Sequence, residues 1–216
     1  MNVRIKICGI TTESVVEAAC AFGVDAIGFV FADSPREVSP GRAAELARHM
    51  SPFISAVAVF RYPTPRHVAD TLAAFPADLV QTEISPALIE EIPDTVRILP
   101  VCHDEEDDDS SVMRNSQLSQ TGGAVLLEGA GRGGRGVSPD WDRAARLARR
   151  LPIVLAGGLT PGNVGDAIRR VRPFAVDVSS GVESRPGIKD PALIEEFICA
   201  VRQAELHLGA DAKALV

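Results

Sequence analysis

Three things are missing from this sequence, and each absence closes off a class of function. No window approaches 18 consecutive uncharged apolar residues, so no segment reads as a membrane-spanning helix. The opening Met1-Asn2-Val3-Arg4 runs directly into a strand-like pattern and lacks the profile of a signal peptide. The four cysteines, Cys8, Cys20, Cys102 and Cys199, show no CxxC spacing, which leaves neither a zinc knuckle nor a dithiol redox pair to expect. A reduced, cytoplasmic setting is the default for such a chain. Positive charge is also short: 22 Lys and Arg stand against 29 Asp and Glu, a net charge of −7, which argues against nucleic acid as a partner. An anionic small substrate stays open, because a phosphate site depends on nearby dipoles and not on global charge.

What is present is a regular alternation. Over 216 residues, with 46% hydrophobic and 24% charged side chains, the composition is that of an ordinary globular domain. A chain of this length buries roughly 70% of its unfolded surface, enough for one sizeable core. Short β-branched runs occur at 3–8, 26–31, 54–60, 79–81, 95–101, 123–127, 152–156 and 174–178. Helical patterns lie between them, several opened by a Ser, Thr or Asp followed by Pro: Ser39-Pro40, Thr64-Pro65, Ser85-Pro86, Ser138-Pro139, Thr160-Pro161 and Asp190-Pro191. Such pairs supply an N-cap acceptor and a preset first turn. Eight strands alternating with about eight helices predict an α/β fold with a parallel sheet, closed as a single-domain (β/α)₈ TIM barrel over 1–205. Residues 206–216 read as a frayed C-terminal tail. The acidic run 104–109 reads as a solvated, mobile loop, since contiguous carboxylates without His or Gly punctuation are poor metal ligands.

In a barrel of this kind the reacting groups sit at the C-terminal ends of the strands. Two of those ends make a phosphate cradle. Ile153-Val154-Leu155-Ala156 runs into Gly157-Gly158, and Ala175-Val176-Asp177-Val178 runs into Ser179-Ser180-Gly181. Small residues there let backbone N–H groups approach an anion. Cys8 closes the first strand; it is either a small buried hydrophobe or, partly ionised, a base or nucleophile. Glu128 ends the sixth strand and is either solvated or, with a pKa raised by burial, a general acid. Arg36, in a loop anchored by Pro35, suits bidentate grip of a carboxylate. Asp177 is either a satisfied buried carboxylate or a substrate contact. Gln81 ends the fourth strand. Arg135, inside a glycine-rich loop, either reaches a carboxylate or is solvated.

These residues fall within motifs that resemble the N-(5′-phosphoribosyl)anthranilate isomerase family. The matching segments are Lys6-Ile7-Cys8-Gly9-Ile10-Thr11, Gly28-Phe29-Val30-Phe31 with Ser34-Pro35-Arg36, and Ala58-Val59-Phe60. They continue with Leu126-Leu127, Asp140-Trp141, Leu155-Ala156-Gly157-Gly158-Leu159-Thr160-Pro161 with Asn163, the run 176–183, and Pro186-Gly187 with Lys189-Asp190. The resemblance implies an Amadori rearrangement needing no metal or cofactor, on a phosphorylated small-molecule substrate, by a monomer or homodimer. It implies Cys8 as base, Glu128 as acid, Arg36 on the anthranilate carboxylate, and Gly157, Gly158, Ser180 and Gly181 on the phosphate. Gln81 and Asp177 would complete the substrate contacts. Three departures stand out: Glu128 occupies the family's usual Asp position, the loop through Gly136 is one residue longer, and Gln81-Thr82-Glu83-Ile84 replaces Gln-Leu-His-Gly. A relative acting on a different phosphosugar-linked substrate, or a non-catalytic barrel that binds a phosphorylated ligand, would fit the same pattern.

Overall fold

The structure, a computed structural model, describes residues 2–119, 122–129 and 137–214, with side chains through 208. Eight parallel strands close on themselves in the order β1-β2-β3-β4-β5-β6-β7-β8. They are β1 Arg4–Cys8, β2 Ala26–Val30, β3 Ser55–Val59, β4 Leu79–Thr82, β5 Arg97–His103, β6 Val125–Glu128, β7 Ile153–Leu155 and β8 Ala175–Val178. Seven of the intervening and closing helices keep the expected places: α1 Glu13–Phe22, α2 Pro40–Ala47, α3 Pro65–Ala74, α4 Pro86–Glu91, α6 Trp141–Ala148, α7 Val164–Val171 and α8 Pro191–Ala214. The expected single-domain (β/α)₈ barrel is therefore the observed fold.

The capping logic is visible atom by atom. Ser39, Thr64 and Ser85 each precede a proline at the first turn, and their hydroxyls accept from the backbone N–H of Arg42, His67 and Leu88. Each such cap contributes about 1 kcal/mol. Three boundaries differ from the sequence reading: Ser138-Pro139 does not open α6, which begins at Trp141 with Asp140 as its cap, because the Ser138 hydroxyl donates to the Gly157 carbonyl instead. Thr160-Pro161 forms a turn, and α7 begins only at Val164 after Asn163. The last helix continues to Ala214, past residue 206, where the sequence reading ends the folded unit.

The acidic run is ordered by an arginine from elsewhere in the chain. Arg143 on α6 pairs with Asp104 at 2.6 Å and with Asp109 at 2.9 Å. Asp108 caps the fifth helix, α5 Asp109–Leu118, by accepting from Ser111 N–H at 2.7 Å. Most of the run is exposed, as a solvated segment should be, but Asp104 and Asp109 are paired by a residue 39 and 34 positions away, which composition does not reveal. A feature absent from the sequence reading is a small antiparallel hairpin, β9 Glu183–Arg185 with β10 Ile188–Lys189. Gly187 turns it at φ +82°, where a Cβ would lie 2.4 Å from the Pro35 carbonyl, so the hairpin sits directly on the loop after β2.

Strand alternation decides which side chains face the barrel axis. Leu99, Val101, Ala124, Leu126, Val154, Ala156 and Ala175 form a separate apolar cluster in the interior, while their odd-register neighbours such as Cys102, Val125, Leu127 and Ile153 pack outward under the helices. Continuing the inward parity to the C-terminal ends gives Cys8, Gln81, His103, Glu128 and Asp177. The top layer of the barrel interior is thus polar above an apolar plug.

Candidate active site

The cavity at this end of the barrel is lined by Cys8, Arg36, Gln81, Glu83, Glu128, Gly157, Gly158, Asp177 and Ser180, with apolar Val59, Val101 and Leu159 between them. Of the sequence-derived candidates among the described residues, only Gly181 is not on that wall. It lies behind it, where a Cβ would fall 1.9 Å from the Leu159 carbonyl oxygen. Its role is to let the turn after β8 press against the turn after β7. The loop 130–136, with Arg135, lies outside the described residues.

The strand order puts the thiol and the carboxyl on either side of two small-residue turns. Glu128 ends β6 and Cys8 ends β1, and the only strands between them along that arc are β7 and β8, whose turns carry Gly157-Gly158 and Ser179-Ser180. Gly157 and Gly158 both adopt positive φ, +87° and +62°, which glycine reaches without strain. Asn163 fixes that turn by donating to the Gly158 carbonyl at 2.8 Å and accepting from Thr160 N–H at 2.8 Å. Ser179 donates to the Cys8 carbonyl at 3.0 Å, tying the second turn to β1.

Cys8 is buried, and its surroundings correct the expectation of a partly ionised thiol. Burial pushes the thiol up from its ordinary value, and Asp177 adds to that; Lys6 and Lys189 pull the other way without winning. Lys6 is itself buried and pairs with Asp177 at 2.7 Å. Burial works against its charge, but Asp177 and Cys8 more than offset this and hold the ammonium above its usual pKa. Gly28 on β2 leaves the room this cluster needs, since a Cβ there would sit 3.1 Å from the Cys8 sulfur and 3.2 Å from Lys6 Nζ. Asp177 is therefore the satisfied carboxylate of the two sequence alternatives, and it also borders the cavity. Lys6→Met is expected to destabilise the fold by about 3–5 kcal/mol in urea denaturation, because Asp177 would remain buried without its partner. It is also expected to raise the thiol's titration further.

Arg36 borders the cavity, but its bidentate grip is on its own chain. Nε and Nη2 donate to the two oxygens of Glu183 at 2.7 and 2.9 Å. Glu183 also accepts from Lys189 at 2.5 Å and from Gly187 N–H at 3.1 Å. Against the upward push of burial, Arg36 and Lys189 hold the Glu183 carboxyl below its ordinary value. The sequence reading missed this partner because the hairpin that carries Glu183 was not foreseen. Gln81 is buried on β4, and its Oε1 has no hydrogen-bond partner among the described residues. A buried acceptor left unpaired costs about 1–3 kcal/mol, which a donor arriving in the cavity would recover.

The residue that sequence reasoning left unassigned is His103. It stands beside Glu128 in the β5–β6 register, and Nδ1 lies 3.2 Å from Glu128 Oε1. Nε2 lies 3.1 Å from Oε1 of Glu83, whose other oxygen accepts from Tyr62 N–H at 2.9 Å. Glu128, then Glu83, push the imidazole up to about 10. Burial acts to raise Glu83, but the hydrogen bonds from His103 and Tyr62 bring its carboxyl below the usual range. Glu83 therefore does not present a bare negative charge to an anionic substrate. The available signal was parity: His103 follows Val101 by two on an inward-facing register.

A family model described as N-(5′phosphoribosyl)anthranilate (PRA) isomerase matches residues 5–200. The N-(5′-phosphoribosyl)anthranilate isomerase of Methylibium petroleiphilum is 40% identical over 220 residues, spanning 98% of this chain and 99% of that protein. A crystal structure of phosphoribosyl anthranilate isomerase in complex with reduced 1-(o-carboxyphenylamino)-1-deoxyribulose 5-phosphate superposes with a TM-score of 0.78 at 33% identity, covering 94% of this chain and 100% of that one. A structure of monomers generated from the dimeric enzyme of Thermotoga maritima superposes with a TM-score of 0.79 at 32% identity, over 94% of this chain and 100% of that one. No helix among the described residues is long and apolar enough to cross a membrane. The chain belongs to the N-(5′-phosphoribosyl)anthranilate isomerase family.

Proposed function

We propose that this barrel converts N-(5′-phosphoribosyl)anthranilate to 1-(2-carboxyphenylamino)-1-deoxyribulose 5-phosphate, an aldose–ketose isomerisation of tryptophan biosynthesis. The observation that carries the assignment of roles is the arc from β6 to β1, where a carboxyl and a thiol flank two small-residue turns on one cavity. The phosphate sits on Gly157, Gly158 and Ser180, with Gly181 behind them. Glu128 protonates the furanose ring oxygen; the C1′–O bond breaks, its electron pair stays on oxygen, and the anilino nitrogen closes a Schiff base. Cys8 then takes the C2′ proton, and the enolamine tautomerises to the ketose. Gln81 accepts from a sugar hydroxyl, and Asp177 holds Lys6 beside the thiol. Arg36 has five N–H donors, two of them on Glu183, and turns the remainder to the anthranilate carboxylate. Each of these steps needs one acid and one base and calls on no cofactor. The enzyme works as a cytoplasmic monomer or homodimer.

The test is loss of phosphoribosylanthranilate fluorescence with purified protein, together with rescue of a tryptophan auxotroph lacking this isomerase. Glu128→Ala is expected to lower kcat by about 10²–10⁴-fold with little change in KM, the usual range for removing a general acid. Wild-type protein without turnover would overturn the assignment of activity. Full activity in Glu128→Ala would remove Glu128 from the mechanism.

A further inference from the structure

His103 does not border the cavity, yet both of its ring nitrogens face carboxylates: Nδ1 faces Glu128 at 3.2 Å and Nε2 faces Glu83 at 3.1 Å. A neutral imidazole has one N–H and one lone pair, so it can satisfy only one of the two. The other carboxylate would then meet a lone pair in a site where both His103 and its partners are largely shielded from water. With both carboxyls ionised, both contacts are favourable only when the ring carries a proton on each nitrogen. The remaining neighbours hold the ring in place. The Tyr62 ring stacks on it with centroids 6.3 Å apart, and the Tyr62 hydroxyl donates to Glu106 at 3.4 Å. The His103 backbone N–H donates to Asp107 at 2.8 Å. Among the described residues, the charged groups paired with the ring nitrogens, Glu83 from the loop after β4 and Glu128 from β6, are both carboxylates.

We propose that His103 and Glu128 act as one acid, in which His103 stores the proton that Glu128 delivers to the sugar, and that Glu83 keeps the store loaded. This rests on the reading of Glu128 as the general acid. A lone carboxyl that is to give a proton near neutral pH must be kept protonated by its surroundings. Here the proton resides on the ring and moves from Nδ1 to the Glu128 carboxylate as the carboxyl gives a proton to the furanose oxygen. The C1′–O bond breaks with its electron pair on oxygen. His103 is left neutral with Nε2–H still on Glu83, and Glu128 is left as a carboxylate. Water reloads the pair through Glu128, which is part-exposed, once product has left. The proton is held across the 3.2 Å contact between Nδ1 and Glu128, so the acid stays available as long as the ring keeps it. His103 is a positioning residue in this scheme, because it reaches substrate only through Glu128.

The experiment compares kcat and KM for phosphoribosylanthranilate across pH in wild type, His103→Asn, His103→Ala, Glu83→Gln and Glu128→Ala. It is joined by ¹⁵N NMR titration of histidine ring nitrogens in the wild-type enzyme. The wild-type to His103→Asn ratio of kcat is expected to grow with rising pH, by up to about tenfold per pH unit, as for an acid that loses its proton once the ring is gone. KM stays within about threefold, since His103 touches no ligand. Added imidazole restores part of the rate in His103→Ala, and Glu83→Gln shows the same divergence displaced to higher pH. The NMR titration shows the His103 ring doubly protonated through neutral pH. A His103→Asn profile parallel to wild type, or a ring found neutral at pH 7, overturns the proposal, and the second result needs no variant to fold. If Glu128→Ala retains full activity, the reading of Glu128 fails instead. An inactive Glu128→Ala beside a wild-type-like His103→Asn sinks only the role of His103.

Discussion

Replacing Cys8 by alanine is expected to lower kcat by about 10³-fold or more, within the 10²–10⁴-fold range of a removed general base. KM should change little, because the phosphate turns and the carboxylate-binding edge do not depend on the thiol. Cys8→Ser is expected to be nearly as impaired: the hydroxyl fits the space but resists ionisation far more than a thiol. The sign of the pH response follows from the surroundings of the sulfur. Burial sets the thiol above its ordinary value, and Lys6 and Lys189 only partly offset this. The thiolate fraction is therefore small at neutral pH and grows as pH rises, so kcat in the wild type should climb with pH wherever proton abstraction limits the rate. Lys6→Met should move that limb to higher pH, since it removes the nearest cation. Stopped-assay kcat–pH profiles of the four proteins decide the matter. A pH-independent kcat in wild type where proton abstraction limits the rate, or a Cys8→Ala enzyme with normal turnover, would exclude the thiol as base.

Much of this site was legible without coordinates, and the reason is geometric. Strand ends in a closed parallel barrel converge, so naming the last residue of each run already names Cys8, Gln81, Glu128 and the two small-residue turns. Period-two alternation then separates Lys6 and Cys8, facing in, from Ile5 and Ile7, facing out. What stayed hidden is pairwise. That Asp177 meets Lys6 follows from β8 lying beside β1, a register of Lys6 opposite Asp177 that no local pattern encodes. That Arg36 meets Glu183 depends on the excursion 179–189 beyond β8, folded back by Gly187 onto Pro35. That Glu83 is harmless to an anionic substrate depends on His103, 20 residues further along the chain. The departures from the family pattern at Glu83 and Glu128 read separately as losses in the sequence. In the fold they are the two ends of one hydrogen-bonded chain through His103.

Gly181→Ala is expected to raise KM by about 10²-fold or more, on the scale of an ångström-sized displacement of binding groups. The added methyl would lie 1.9 Å from the Leu159 oxygen, 2.9 Å from the Leu159 carbonyl carbon and 3.2 Å from Thr160 Cα. All three are backbone atoms, so no side-chain rotation relieves the contact. The Leu159–Thr160 segment cannot retreat freely either, because Asn163 bridges Thr160 N–H and the Gly158 carbonyl. The clash must therefore be relieved by parting the two turns, which moves Ser180 away from Gly157 and Gly158 and opens the phosphate cradle. Cys8 and Glu128 stand on other strands and keep their places, so the loss should fall on KM and on inhibition by inorganic phosphate more than on kcat. Gly165→Ala supplies the control. A methyl there meets only the mobile end of Arg169, at 3.3 Å, inside α7, where alanine is favoured over glycine by up to about 1 kcal/mol. A Gly181→Ala enzyme with unchanged KM and unchanged phosphate inhibition would show that the two turns do not hold the anion between them.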